Sequence, residues 1–211
     1  MSMGSHLTKS MGGYKYDSVA QRLKKERYHG RGKLKDRIFN QTADKVKSWD
    51  VKPSEEYFEQ LFRVSKNQII WGGNYFGLPP TRGVICWDKM QPWENFSQWE
   101  MAWTSFDYPA ALFKFSNTGG ANVEKKIHPT QKPVALYAWL LQRFAKPGNT
   151  VLDTHLGSGS SRVAAYKLGF DFYGCEIDRE YFEASKKRFE EKCLNVIQTE
   201  SGDKIEQLSL F

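Results

Sequence analysis

At 211 residues, 40% of them hydrophobic, the chain is long enough to bury one sizeable core and falls within the size of a single domain. It has no apolar run long enough to span a bilayer and no charged-then-apolar secretion signal. Its cysteines, Cys86, Cys175 and Cys193, are odd in number and lack metal-ligand spacing, so the expected location is a reducing cytoplasm with no membrane and no metal.

The net charge of +7 is unevenly carried: residues 1–52 hold 13 Lys and Arg against 5 Asp and Glu, a net of +8, and residues 53–211 sum to −1. Residues 1–13 read as a flexible Ser/Gly/Met-rich leader and 14–52 as a basic arm, with a basic helix over 17–27 broken at Gly30-Arg31-Gly32. Arg22, Lys24, Lys25, Arg27 and Arg31, interleaved with Tyr28 and His29, suit an arm that contacts phosphates; a solvated segment is the plain alternative. Residues 53–211 form the folded part. Ser54, followed by Glu55 and Glu56, predicts a capped helix to about Val64. Strands are expected over 67–71, 84–87, 100–104 and 110–115, then a polar loop over 116–124. Leu136, Leu140 and Leu141 lie on one face of a helix over 134–144, which Lys146-Pro147-Gly148-Asn149 ends.

The most informative stretch follows. Val151-Leu152-Asp153 reads as a strand ending in an acid, and Thr154-His155-Leu156-Gly157-Ser158-Gly159 is a glycine turn leading into a helix-like segment over 162–168. Glycines at a strand end let the backbone approach a ligand, and the next helix offers free N–H groups. A second strand over 172–175 then delivers Glu176 in position to hold ribose hydroxyls. The pattern reads as a nucleoside-cofactor site; a plain tight turn would need the same glycines.

Three further segments make the pattern specific: Ile69-Ile70-Trp71-Gly72-Gly73-Asn74-Tyr75-Phe76, His128-Pro129-Thr130-Gln131-Lys132-Pro133, and Glu176-Ile177-Asp178-Arg179-Glu180-Tyr181-Phe182. In this order, over roughly residues 49–190, the chain resembles the amino-methylating DNA methyltransferases whose cofactor motif comes late. The resemblance implies an α/β fold: one Rossmann-like, doubly wound domain with a mostly parallel sheet, the strand ending at Asp153 central and the strand ending at Cys175 beside it. It implies methyl transfer from S-adenosylmethionine to an exocyclic amino group of double-stranded DNA, adenine favoured over cytosine. It places Asp153, Thr154, His155, Gly157 and Gly159 along the cofactor's amino-acid portion and Glu176 on the ribose. Thr130, Gln131 and Lys132 match the segment that packs against the methionine carboxylate, and Asn74 and Tyr75 fall near the target-base pocket. Thr154-His155 replaces the family's Pro-Phe. Trp87, Trp93, Phe96, Trp99, Trp103, Phe106 and Tyr108 are mostly core on this reading, with one or two left to hold a flipped base.

One departure concerns the chemistry itself. The family's Asp/Asn-Pro-Pro-Tyr motif, which holds the target amino group, has no counterpart: Leu78-Pro79-Pro80-Thr81 lacks the acceptor and the aromatic, and Asp107-Tyr108-Pro109 has the wrong order. No catalytic residue is assigned. A truncated or rearranged start, incomplete at the N-terminus, is the first expectation. A partner or second copy that supplies the motif, or an inactive DNA-binding or cofactor-binding relative, are the others. A ring-carbon cytosine methylase is disfavoured, because neither Cys86 nor Cys175 sits in a Pro-Cys pair.

Overall fold

The computed structural model describes residues 51–91, 97–116 and 126–194, with the backbone of 196–198 and 204–206. The leader, the basic arm with Arg22, Lys24, Lys25, Arg27 and Arg31, Trp93, Phe96 and residues 117–124 of the polar loop lie outside the described residues. The chain divides into two units, residues 1–60 and 61–211. Helix α1 (Glu55–Val64) runs across that division, and Ser54 caps it: its Oγ accepts the Tyr57 N–H at 3.2 Å, with Glu55 and Glu56 in the first turn.

In the second unit, β1 (Ile69–Trp71), β2 (Val84–Asp88), β3 (Trp99–Thr104) and β4 (Ala111–Lys114) form a sheet ordered β1-β3-β2-β4. β3 pairs antiparallel with β2 on one side and with β1 on the other. β4 runs parallel to β2, so the sheet is mixed rather than mostly parallel as expected, because β3 lies antiparallel between β1 and β2. The strand ending at Asp153 is not central to it: among the described residues that strand pairs with one neighbour in a separate two-stranded sheet. Helix α2 (Val134–Phe144) spans the residues its periodicity predicts and lays Leu136 and Leu140 against Ile85, Trp87 and Ala102 in one buried cluster. Leu141 is only partly buried.

Most of the aromatic run is core. Trp87 is 1% exposed and donates its indole N–H to the Phe115 carbonyl at 3.0 Å; Trp103 donates to the Pro79 carbonyl at 2.7 Å. Both satisfy the polar end of a buried ring with a backbone acceptor. Trp99 stays half exposed at the start of β3.

The remaining elements position the site. β5 (Thr150–Asp153), α3 (Ser160–Lys167) and β6 (Asp171–Gly174) make a β-α-β unit in which β5 and β6 pair in parallel, Asp153 opposite Gly174. A helical crossover is what a parallel pair requires. In α3 the buried residues are Ser160, Ser161, Val163, Ala164 and Ala165, small enough for the helix to pack between α2 and α4 (Arg179–Cys193). Asp178 caps α4, accepting the N–H groups of Glu180 and Tyr181. A short antiparallel pair that the sequence reading did not anticipate, β7 (Val196–Gln198) and β8 (Lys204–Glu206), follows.

Candidate cofactor site

Asp153 and Glu176 stand just at or beyond the carboxyl ends of the two paired strands, where ligands bind in open α/β sheets. The Cys175 N–H donates to the Asp153 carbonyl at 2.9 Å and the Leu156 N–H to the Cys175 carbonyl at 2.9 Å, so the pairing continues into both loops. The Asp153 carboxylate organises the turn that follows it: one oxygen accepts the His155 N–H at 3.0 Å and the other accepts the Ser161 hydroxyl. Gly157 and Gly159 have φ of 52° and 71°, the left-handed region that a residue with a Cβ enters only at a cost. The turn is buried from Leu156 through Ser161.

Glu176 ties the two strand ends together. One carboxylate oxygen accepts the Gly157 N–H at 2.7 Å and the other the Asp178 N–H at 2.9 Å. A carboxylate has about four acceptor positions, so capacity for two more donors remains. Buried Arg188, which sequence reading passed over, fixes the turn from the other side: its guanidinium donates to the Ser158 carbonyl at 2.8 Å and the Ser160 hydroxyl at 3.0 Å. His155 is exposed, with Nδ1 3.0 Å from the Thr154 hydroxyl.

The His-Pro-Thr-Gln-Lys-Pro segment reaches the same loop. The His128 ring lies 3.5 Å from where a Cβ on Gly157 would project, and it packs edge-on against Tyr181 with centroids 4.4 Å apart. Thr130 places its hydroxyl 3.1 Å from His128 Nδ1, and the Lys132 carbonyl accepts the Ser160 hydroxyl at 2.7 Å. The Lys132 ammonium points elsewhere: it pairs with Glu100 on β3 at 3.0 Å and sits over the Trp71 ring at 5.2 Å. Glu100 also receives Lys89 at 2.7 Å. Burial alone would raise the Glu100 carboxyl; the Lys132 and Lys89 ammoniums outweigh it and hold it below the ordinary carboxylate value. Tyr137 on α2 is near enough to Asp153 and Glu100 to feel both carboxylates, which add to burial in keeping its phenol protonated far above the usual range. None of Glu100, Lys89 and Tyr137 carries a local motif that sequence reading could have found.

Asn74 and Tyr75 are placed differently. They lie exposed in a 3-10 turn after β1, in the larger sheet, and the glycines before them have a packing reason: a Cβ on Gly73 would lie 2.4 Å from Trp103 Cβ. The turn accounts for the glycines without a ligand.

His128 gives the site a pH signature. Desolvation lowers its pKa from 6.5, Lys132 adds to the lowering, and Glu176 and Asp178 oppose it. The unfolded chain therefore takes up this proton at a higher pH than the folded one, and the contribution to stability is present above pH 6.5 and lost as pH falls through the lower folded value. Denaturant unfolding should show stability declining below pH 6.5, and His128→Gln should flatten that decline. An unchanged slope in the variant would assign the acid sensitivity to other groups.

The model of the DNA methylase family N6_N4_Mtase matches residues 13–187. Type II methyltransferase M.HpaI of Haemophilus parainfluenzae is 35% identical over 82 residues, 39% of this chain and 26% of that protein. Type II methyltransferase M2.DpnII of Streptococcus pneumoniae is 40% identical over 63 residues, 30% of this chain and 24% of that protein. The chain thus spans about a quarter of the length of these relatives. Among solved structures, the M1.HpyAVI-SAM complex is 28% identical with a TM-score of 0.40, covering 51% of this chain and 61% of that one.

Proposed function

Because the chain belongs to the amino-methylating DNA methylase family, we propose that it acts in the transfer of a methyl group from S-adenosylmethionine to an exocyclic amino group of double-stranded DNA, adenine favoured over cytosine. The observation that carries the reading is the double clamp of Glu176 on the Gly157 and Asp178 N–H groups at the ends of adjacent parallel strands. It fixes a carboxylate with spare acceptor capacity beside a glycine turn, an acceptor that suits the two hydroxyl donors of a ribose diol. The chain's residues fit the cofactor at that point.

On this reading Glu176 takes the ribose hydroxyls. Asp153, Thr154, His155, Gly157 and Gly159 line the amino-acid portion, and Thr130 closes that side. Lys132 acts from its place on Glu100. Bound there, S-adenosylmethionine supplies an electrophilic methyl group. The protein's part is to hold it against water and aim it. Asn74 and Tyr75 are proposed on the target-base side. The basic arm, with Arg22, Lys24, Lys25, Arg27 and Arg31, is proposed to hold DNA phosphates.

One observation favours a partner, or a second copy of the chain, that completes the site. Parallel strands are normally covered on both faces, yet Leu152 on β5 is 43% exposed and Tyr173 on β6 is 68% exposed. The test is methyl transfer. Duplex DNA incubated with the chain and methyl-labelled S-adenosylmethionine, then digested to nucleosides, should yield labelled N6-methyladenine. Labelled N4-methylcytosine would move the target to cytosine. Label that appears only on adding a second polypeptide would establish the completed form.

A further inference from the structure

The ion-pair cluster around Glu100 has more positive charge than its pairing needs. Lys89 approaches the carboxylate at 2.7 Å from the end of β2, and Lys132 approaches it at 3.0 Å from the segment before α2. Their side chains are only 13% and 14% exposed, and each ammonium lies over an indole, Lys89 over Trp87 at 5.6 Å and Lys132 over Trp71 at 5.2 Å. Lys126 is a third cation close enough to interact with both Lys89 and Glu100. Among the described residues, three ammoniums around one carboxylate leave a local excess of two positive charges. An ammonium has three donors, so Lys89 and Lys132 each keep two after serving Glu100. Desolvation lowers the Lys126 pKa, the Lys89 ammonium adds to the lowering and the Glu100 carboxylate opposes it. An anion at this point would relieve the crowding and use the free donors.

We propose that Lys89, Lys126 and Lys132, gathered by Glu100, form a phosphate-binding site for the DNA strand that carries the target base. The proposal rests on the function proposed above and adds a contact to it: a backbone phosphate held by the folded domain itself, separate from the basic arm. Phosphate is favoured because the ammoniums, Lys89 just after β2 and Lys126 and Lys132 in the segment before α2, outnumber the one carboxylate they gather around and keep unused donors. The cluster still touches the cofactor turn through one link, the Lys132 carbonyl on the Ser160 hydroxyl. A phosphate seated there would fix the strand's register relative to the glycine turn without reading its sequence.

The test measures duplex affinity against salt for the full chain by fluorescence anisotropy, with S-adenosylmethionine affinity measured on the same samples. Lys126→Ala, which removes no ion pair to Glu100 among the described residues, and Lys89→Met should each reduce the log-log salt slope by roughly 0.9, the loss of one phosphate contact. Both should weaken binding to all duplex sequences alike and leave cofactor affinity unchanged. An unchanged slope in both variants would overturn the proposal, as would failure of the intact chain to bind duplex at low salt. Loss of cofactor affinity with the slope unchanged would also overturn it, assigning the anion to the cofactor's carboxylate. Cofactor binding by the wild-type chain reports separately on the function on which the proposal rests.

Discussion

Glu176→Ala is expected to weaken S-adenosylmethionine binding by about 1.5–3 kcal/mol, the worth of a hydrogen bond to a charged group, which is roughly tenfold to a hundredfold in affinity. The loss has two sources. The variant removes the acceptor proposed for the ribose, and it frees the Gly157 and Asp178 N–H groups that the carboxylate now holds at 2.7 and 2.9 Å. Glu176→Gln separates them. Its amide oxygen can keep one backbone bond while the negative charge is lost, so its affinity should fall between wild type and alanine. Calorimetry that found alanine and wild type equal would remove Glu176 from the site.

Trp87→Ala should have the largest effect on stability, about 3–5 kcal/mol from the cavity and lost transfer energy of a buried aromatic. Trp87 is 1% exposed, packs in the cluster with Ile85, Ala102, Leu136 and Leu140, and is the donor to the Phe115 carbonyl. Typical domains are stable by about 5–15 kcal/mol, so this substitution removes a large share of the margin. Trp99, half exposed in the neighbouring strand, is the control: Trp99→Ala should cost far less. Equal denaturation midpoints for Trp87→Ala and wild type would contradict the packing described here.

Local chemistry was the part of this chain legible in advance. The Ser54 cap, the helix over 134–144 and the strands flanking the glycine turn each follow from signals within a few residues, and each lies within two residues of its expected place. The pairing of β5 with β6 was legible for the same reason, since one crossover helix joins them, whereas the bonds from the Gly157 and Asp178 N–H groups to Glu176 were not. The Glu100 cluster was not. Its partners come from a loop after β2, from β3 and from the segment before α2, and only the tertiary fold brings them together. Lys132 shows the consequence: its motif points to a cofactor carboxylate, while its ammonium rests on Glu100 and Trp71. Arg188 was missed because a charged residue in a polar helix reads as solvated, yet its guanidinium is buried against the turn it secures. The pair β7 and β8 is three residues a strand, too short for an alternating pattern to announce it.

The central claim is that the turn between β5 and α3, clamped by Glu176, is where S-adenosylmethionine binds. Titrating the cofactor into the isotope-labelled chain and following backbone amide resonances tests it most directly. Saturable shifts concentrated at Gly157, Gly159 and Asp178 and reduced in Glu176→Ala are the expected result. No saturable shift, or shifts confined to residues away from this turn, would contradict it.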